Sequence, residues 1–293
     1  MGREEAFCIN AYGKINLGLD VLGRREDGYH EVRMVMQTVR LHDRVCLRRE
    51  REPGIRLQSN LSFLPSGPEN LAWRAAALLM EEFGLDGGLH ITLEKRIPVA
   101  AGMAGGSADC AAVLYGLNRV YRLGLTLRQL QERGLRLGAD VPYCLLRGTA
   151  LAEGMGERLT PLPPAPGQIV LIAKPAVSLS TKRIYEKLKL TEETVHPDID
   201  GMCEAIRRKD MEGMLARLGN VLEDAVLPDH PQITRLKQTM YAGGAGGALM
   251  SGSGPTVFGF FDEMEQARRT AQLCRRKKLA RQICVTGLYH RDT

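Results

Sequence analysis

Residues 98–110 read PVAAGMAGGSADC. Gly102, Gly105 and Gly106 can adopt positive φ without strain from a Cβ. Successive N–H groups can then turn toward one point and form a nest for an anion. A helix reading SADCAAVLYGLNRVY starts near Ser107. Its unpaired first-turn N–H groups and the positive end of its dipole would serve the same point. The chemistry on offer is phosphate binding; the alternative is a glycine-rich strand-to-helix connection that holds nothing. No Lys-Ser or Lys-Thr follows these glycines, and they do not form G-x-G-x-x-G after a first strand, so neither the Walker A loop nor the dinucleotide fingerprint applies.

Transfer of a phosphoryl group to an alcohol needs alignment, charge stabilisation and a group to take the hydroxyl proton. Asp140, in G-A-D-V-P, follows a helix end and precedes Pro142, which disfavours helix at Val141. A carboxylate on such a turn is either a base facing a site or a helix cap. Lys14 stands just before an alternating strand, where a lysine is ordinarily solvated. Tyr29 and His30 sit in D-G-Y-H, which reads as a capped hairpin with a half-buried Tyr.

The elements that must position these residues show in the periodicity. INLGLDVLG puts Ile15, Leu17, Leu19 and Val21 on one side and Asn16, Gly18 and Asp20 on the other, as in a half-exposed strand. VRMVMQTVRL, DRVCLRRE and LHITLEKRI are further strands. NLAWRAAALLMEEFG is a helix closed by Gly84, and TLRQLQERGLRLG is one with Thr126 and Gln129 at capping-box spacing. PLPPAPGQ, residues 161–168, is linker-like, and the domain boundary is placed there. IVLIA is a buried strand, AGGAGGALMSGSGPTVFGFF runs from glycines into a strand, EMEQARRTAQLCRRKK is a helix and RQICVTGLY a last strand. The absence of regular βαβ alternation in the first half predicts an α+β fold.

The chain has 293 residues, enough for two domains, with an average apolar and charged content. A net charge of +6 suits an anionic small molecule and is too dispersed to argue for nucleic acid. The basic run 275–278, RRKK, reads as the solvated face of a helix and lacks interleaved aromatics. Seven cysteines, with no pair at CxxC spacing, predict reduced thiols and give no support to zinc. The start MGREEAFCINAYGK lacks an apolar signal core, and the uncharged run from Gln238 to Phe261 is too glycine-rich for a membrane helix. The expectation is a cytoplasmic protein with no membrane and no nucleic-acid partner.

Three motifs then carry a resemblance. P-x-x-A-G-M-A-G-G-S-A-D resembles the phosphate loop of the GHMP kinases, AYGKINLGLDVLGRREDGYHEV their N-terminal motif and MSGSGPTVFGFF their C-terminal glycine motif, in the family's order. K-I-N-L with R-x-D-G-Y-H, and LGADVPYCL, are similar to one branch, which acts on a cytidine-diphosphate-bearing polyol of the non-mevalonate isoprenoid route. The similarity runs from about Ala11 to about Phe261.

The resemblance implies a two-domain GHMP kinase. Residues 1–160 would resemble the second domain of ribosomal protein S5 and residues 161–293 would be ferredoxin-like. It implies ATP along Pro98, Val99, Ala100, Ala101, Gly102, Met103, Ala104, Gly105, Gly106, Ser107 and Ala108, with Mg²⁺ on its phosphates. Asn70 and Lys95 match positions near the adenosine, although Asn70 equally suits a helix cap and Lys95 a strand end. The implied acceptor is the 2-hydroxyl of 4-diphosphocytidyl-2-C-methylerythritol. Asp140 would be the base and Lys14 its support. Tyr29 and Tyr185 would flank the cytosine with His30 at its edge, Tyr185 fitting a helix core equally well. Asn16 and Thr181 would meet the acceptor, with Ser251 and Gly252 closing over it; a helix cap for Thr181 and a plain glycine turn at 251–254 are the alternatives. The chain departs from the family in having Ser107-Ala108 where two serines are usual, so one hydroxyl that could meet the phosphates is missing. A kinase for homoserine or mevalonate, or a non-catalytic nucleotide- or RNA-binding protein, are the other readings, and a monomer and a homodimer fit equally.

Overall fold

The computed structural model describes residues 5–167 and 169–290. In chain order the elements are β1 (Phe7–Arg24), β2 (His30–Glu50), β3 (Gly54–Ser59), α1 (Leu71–Glu82), β4 (Gly88–Glu94), α2 (Gly105–Val120), α3 (Leu127–Leu135), α4 (Val141–Leu146), β5 (Thr149–Gly154) and β6 (Arg158–Leu162). Then follow β7 (Ile169–Lys174), α5 (Thr181–Lys187), α6 (Ile199–Arg207), α7 (Met211–Ala216), β8 (Gly219–Asn220), α8 (Glu223–Val226), α9 (Pro231–Ala242), β9 (Gly247–Met250), β10 (Val257–Phe261), α10 (Met264–Arg276) and β11 (Gln282–Gly287). The α+β expectation holds.

The chain forms two compact units that are not consecutive segments. One takes the chain up to Gly13 with His42–Val99 and Ala104–Leu146; the other takes Lys14–Leu41, Ala100–Met103 and the chain from Arg147. In the first, Arg44–Glu50 of β2 pairs antiparallel with β4, and β4 pairs parallel with β3. Asn70 caps α1 by accepting the Ala72 N–H at 3.0 Å, and Gly84, at φ +55°, follows its end as the pattern predicts. Ala72, Ala75, Ala76 and Leu79 give α1 a narrow buried face, which lets it pack closely on α2. Both halves of the capping box at Thr126 and Gln129 are present on α3. A Cβ on Gly116 of α2 would lie 2.5 Å from Leu47 and 2.6 Å from Ile9, so the helix meets these strand side chains only because this position is glycine.

Cys8 and Cys46 are joined by a disulfide, which corrects the expectation of reduced thiols for this pair. They are far apart in sequence, and neighbouring strands β1 and β2 bring their Cα atoms to 4.1 Å.

In the second unit Val32–Gln37 of β2 pairs antiparallel with β5, β5 with β6, and Gly18–Leu19 of β1 parallel with β8. A separate antiparallel sheet runs β11-β7-β10-β9, with α9 and α10 packed on it. Its central strand β10 is apolar and buried throughout, and Phe258 and Phe260 meet edge to face. β1 differs from its alternating pattern: both sides are buried from Gly13 to Val21. The side carrying Asn16, Gly18 and Asp20 is covered by α6, since a Cβ on Gly18 would stand 2.7 Å from Ile199 and 3.2 Å from Met202. The linker-like stretch is anchored: Pro161 and Leu162 end β6, and buried Ala165 donates its N–H to Thr149 Oγ1 at 3.0 Å. Gln168 lies outside the described residues. No helix among those described is long and apolar enough to cross a membrane.

Candidate active site

The glycine loop connects β4 to α2, and its backbone differs from the expected one. Of the three glycines only Gly102 has positive φ (+71°); the others that turn left-handed are Ala100 (+49°) and Ala104 (+55°). Gly105 and Gly106 already belong to α2, which begins two residues before Ser107. Ala104, at the N-cap, has no side chain to cap the helix, so no cap side chain occupies the first-turn N–H groups. No Cβ clash bars the approach to Gly106, where an added Cβ would find nothing closer than Leu71 at 3.8 Å. Anion binding requires this combination of uncapped donors and open backbone. Ala108 contributes neither of its groups: its N–H is taken by Ala104 O at 2.8 Å and its methyl is buried.

What approaches Gly102 is protein. A Cβ there would lie 2.1 Å from the Ser251 carbonyl oxygen, and Ser251 Oγ donates to Gly102 O at 2.9 Å. The C-terminal glycine turn, 251–254, is therefore packed directly on the loop. Gly102→Ala combines a strained φ with a backbone clash and is expected to cost about 2–4 kcal/mol of stability, read from denaturant unfolding. An unchanged unfolding midpoint would show that this contact carries no stability.

Lys14 and Asn16 stand beside the same turn. Lys14 Nζ donates to Asn16 Oδ1 at 2.7 Å, and a Cβ on Gly252 would come within 3.5 Å of that ammonium and 3.3 Å of Asn16 Oδ1. Both side chains are buried, where the alternation predicted a half-exposed strand. Lys14 N–H donates to Met103 O at 3.1 Å, which ties β1 to the loop. Asn220, which no sequence motif marks, holds the turn from the other side: its Nδ2 donates to Met250 O and Gly252 O, each at 2.8 Å. A lone Asn in LGNVL carries no signal by type or spacing.

The aromatic residues also gather in this unit. Tyr29 is 63% exposed at the tip of the D-G-Y-H turn, where Gly28 takes φ +85°. His30 and Tyr185 stand with ring centroids 4.9 Å apart, tilted by 38°. Burial, with Arg24 nearby, lowers the His30 pKa. A neutral imidazole offers one donor and one acceptor. Thr181 opens α5 and shares a 2.8 Å hydrogen bond with Ser253 of the glycine turn; the cap is Ser180.

The remaining residues belong to the first unit. Asp140 lies at the start of α4, its carbonyl accepting the Cys144 N–H at 3.0 Å. A helix thus begins at Val141, where a turn was expected, and Pro142 sits in its first turn, a position that tolerates the missing N–H. The Asp140 carboxylate is half-buried and makes no hydrogen bond or ion pair among the described residues. Its segment borders the loop helix: a Cβ on Gly138 would stand 4.0 Å from Ser107 Oγ. Asn70 spends its side chain on the α1 cap and on Pro65 O. Lys95 is buried, with its ammonium between Asp43 and Asp109. No group of three His, Cys, Asp or Glu side chains that could hold a metal occurs among the described residues.

Comparison with known proteins defines the class. The GHMP kinases N terminal domain matches residues 70–148 and the GHMP kinases C terminal domain residues 202–279. The chain belongs to the GHMP kinase family and has its two-domain fold of mixed α and β elements. The 4-diphosphocytidyl-2-C-methyl-D-erythritol kinase of Lachnospira eligens is 52% identical over 285 residues, 97% of this chain and 99% of that one. The protein of the same name from Lachnoclostridium phytofermentans is 54% identical over 265 residues, 90% and 91% of the two chains. A crystal structure of 4-(cytidine 5'-diphospho)-2C-methyl-D-erythritol kinase is 35% identical with a TM-score of 0.82, covering 96% of this chain and 99% of that one. The homoserine kinase of Cytophaga hutchinsonii shares the fold, at TM-score 0.74 and 19% identity over 97% of this chain and 94% of that one.

Proposed function

We propose that this chain is a cytoplasmic enzyme that transfers the γ-phosphoryl group of ATP to the 2-hydroxyl of 4-diphosphocytidyl-2-C-methyl-D-erythritol, giving the 2-phosphate and ADP for isoprenoid precursors. The observation that carries the reading is the start of α2, where an uncapped helix N-terminus and open glycine backbone stand beside the segment bearing Asp140, a carboxylate with no partner among the described residues. Near full-length likeness to relatives of that name supports the choice of acceptor. In sequence order the reading divides the chain into an N-terminal kinase domain, residues 1–160, and a C-terminal one, residues 161–293, a boundary that crosses β6 and differs from the two compact units.

In this reading the loop Pro98–Ser107 cradles the phosphates through backbone N–H groups, so the missing hydroxyl at Ala108 matters little. Asp140 takes the proton of the attacking hydroxyl and Lys14 offsets the charge of the forming alkoxide. Asn16, Thr181 and the Ser251-Gly252 turn orient the polyol. Tyr29 and Tyr185 cover the cytosine while neutral His30 bonds its edge. Mg²⁺ bound with ATP would neutralise part of the charge on the phosphates, and no group of three His, Cys, Asp or Glu side chains among the described residues would hold it without the nucleotide. Asn70 acts on the adenosine side by shaping the start of α1.

The test is ADP release from purified protein with Mg-ATP and the cytidyl acceptor, homoserine or mevalonate. Turnover is expected with the cytidyl acceptor alone. Turnover on another alcohol would keep the kinase and discard the cytosine pocket. ATP binding with no turnover on any acceptor, or tight salt-sensitive RNA binding, would favour a binding protein.

A further inference from the structure

We propose that Asp43, Lys95 and Asp109 form a buried clamp across the two ends of the glycine loop, and that Lys95 is a positioning residue for the nucleotide which does not touch it. The inference rests on the reading of residues 98–107 as the ATP phosphate site.

The geometry closes around one ammonium. Lys95 Nζ donates to Asp43 Oδ2 at 2.5 Å, to Asp109 Oδ2, and to the Gly105 carbonyl at 3.4 Å. A lysine has three donors, and these contacts use all of them, so none remains for a phosphate or an adenine. The side chain is buried, with its ammonium enclosed by these three acceptors.

The clamp grips the loop from both sides. Asp43 Oδ1 accepts the N–H groups of Arg96 and Ile97, at 2.5 and 2.8 Å, directly before Pro98. Gly105 and Asp109 lie in the opening turns of α2, directly after Ala104. One aspartate from β2 thus sets where the loop begins, and the lysine ties that point to where it ends. A nest of N–H groups holds phosphate only if their directions are kept within a few tenths of an ångström. Residues 98–104 have no periodic structure to do this.

The two carboxylates are not equivalent. Both Asp43 oxygens have partners. Asp109 Oδ1 is buried with no hydrogen-bond partner among the described residues. Burial pushes the Asp109 carboxyl up to about 7, against the pull of Lys95. Asp43 is therefore the anchor and Asp109 the weaker arm.

The test separates positioning from folding. ATP Kd by calorimetry, both KM values and the melting temperature are measured on full-length wild type, Asp43→Ala, Asp43→Asn and Lys95→Met. ATP Kd and KM are expected to rise at least about tenfold in Asp43→Ala and Lys95→Met, with the acceptor KM within about twofold. Asp43→Asn, which keeps an acceptor for Arg96 and Ile97, should restore most of the loss. If a single variant does not fold, Lys95→Met combined with Asp109→Leu removes the charge pair together, a change that buried sites tolerate. An ATP Kd unchanged in a folded variant, an equal rise in both KM values, or an Asp43→Asn as weak as Asp43→Ala would overturn the clamp. Wild type that binds no ATP would instead overturn the phosphate-loop reading on which the clamp rests.

Discussion

Asp140→Asn is expected to lower kcat by about a thousandfold while the ATP Kd stays within about twofold. The substitution keeps shape and backbone, so the bond from the Cys144 N–H to the Asp140 carbonyl survives and α4 should still form. What it removes is basicity. Most half-buried carboxylates are engaged by a cap, an arginine or a lysine; Asp140 has no such partner among the described residues. An uncommitted carboxylate is costly to keep for stability alone and is available for a proton. The measurement is steady-state ADP release with the cytidyl acceptor, beside calorimetric ATP binding. A kcat within about tenfold of wild type would remove Asp140 as the base.

Lys14→Met should separate activity from stability. The Lys14 ammonium is buried, and its one hydrogen bond among the described residues goes to a neutral amide oxygen, Asn16 Oδ1, at 2.7 Å. Removing a buried cation without a carboxylate partner is favourable and leaving Asn16 Oδ1 without its donor is unfavourable, so an apolar side chain of similar length is expected to change stability by no more than about 2 kcal/mol. Activity should change far more. Loss of a charge that stabilises a forming alkoxide is worth about a hundredfold to a thousandfold in kcat, with only a modest change in ATP KM. Thermal melts and kcat on the same preparation check both halves. A variant with unchanged kcat would take Lys14 out of the mechanism, and one that fails to fold would show that the ammonium holds the structure.

These two residues also show how unevenly a site can be read from a chain. Lys14 and Asp140 are singled out because short motifs surround them, K-I-N-L and G-A-D-V-P. Neither motif conveyed the environment. Lys14 at the start of a strand suggested a solvated end, and it is buried because the turn at Gly252 comes from far along the chain to meet it. Asp140 before Val-Pro suggested a turn, and the chain starts a new helix there. Asn220 and Asp43 passed unseen because their partners, Gly252 in one case and Arg96 and Ile97 in the other, are remote in sequence.

The sequence by itself determined what neighbours along the chain can enforce. The alanine-rich face and Asn70 cap of α1, the Thr126–Gln129 box of α3, the apolar run of β7 and the glycine-dense link into α2 are all local, with periods and spacings set by backbone geometry. Tertiary structure decided which groups face each other. It put positive φ at Ala100 and Ala104 in place of Gly105 and Gly106, and set the Ser251 carbonyl against Gly102. It joined Cys8 to Cys46 and enclosed Lys95 between Asp43 and Asp109. The physical reason is that burial and pairing of polar groups depend on what packs across the space between segments, and a linear pattern holds no record of that distance.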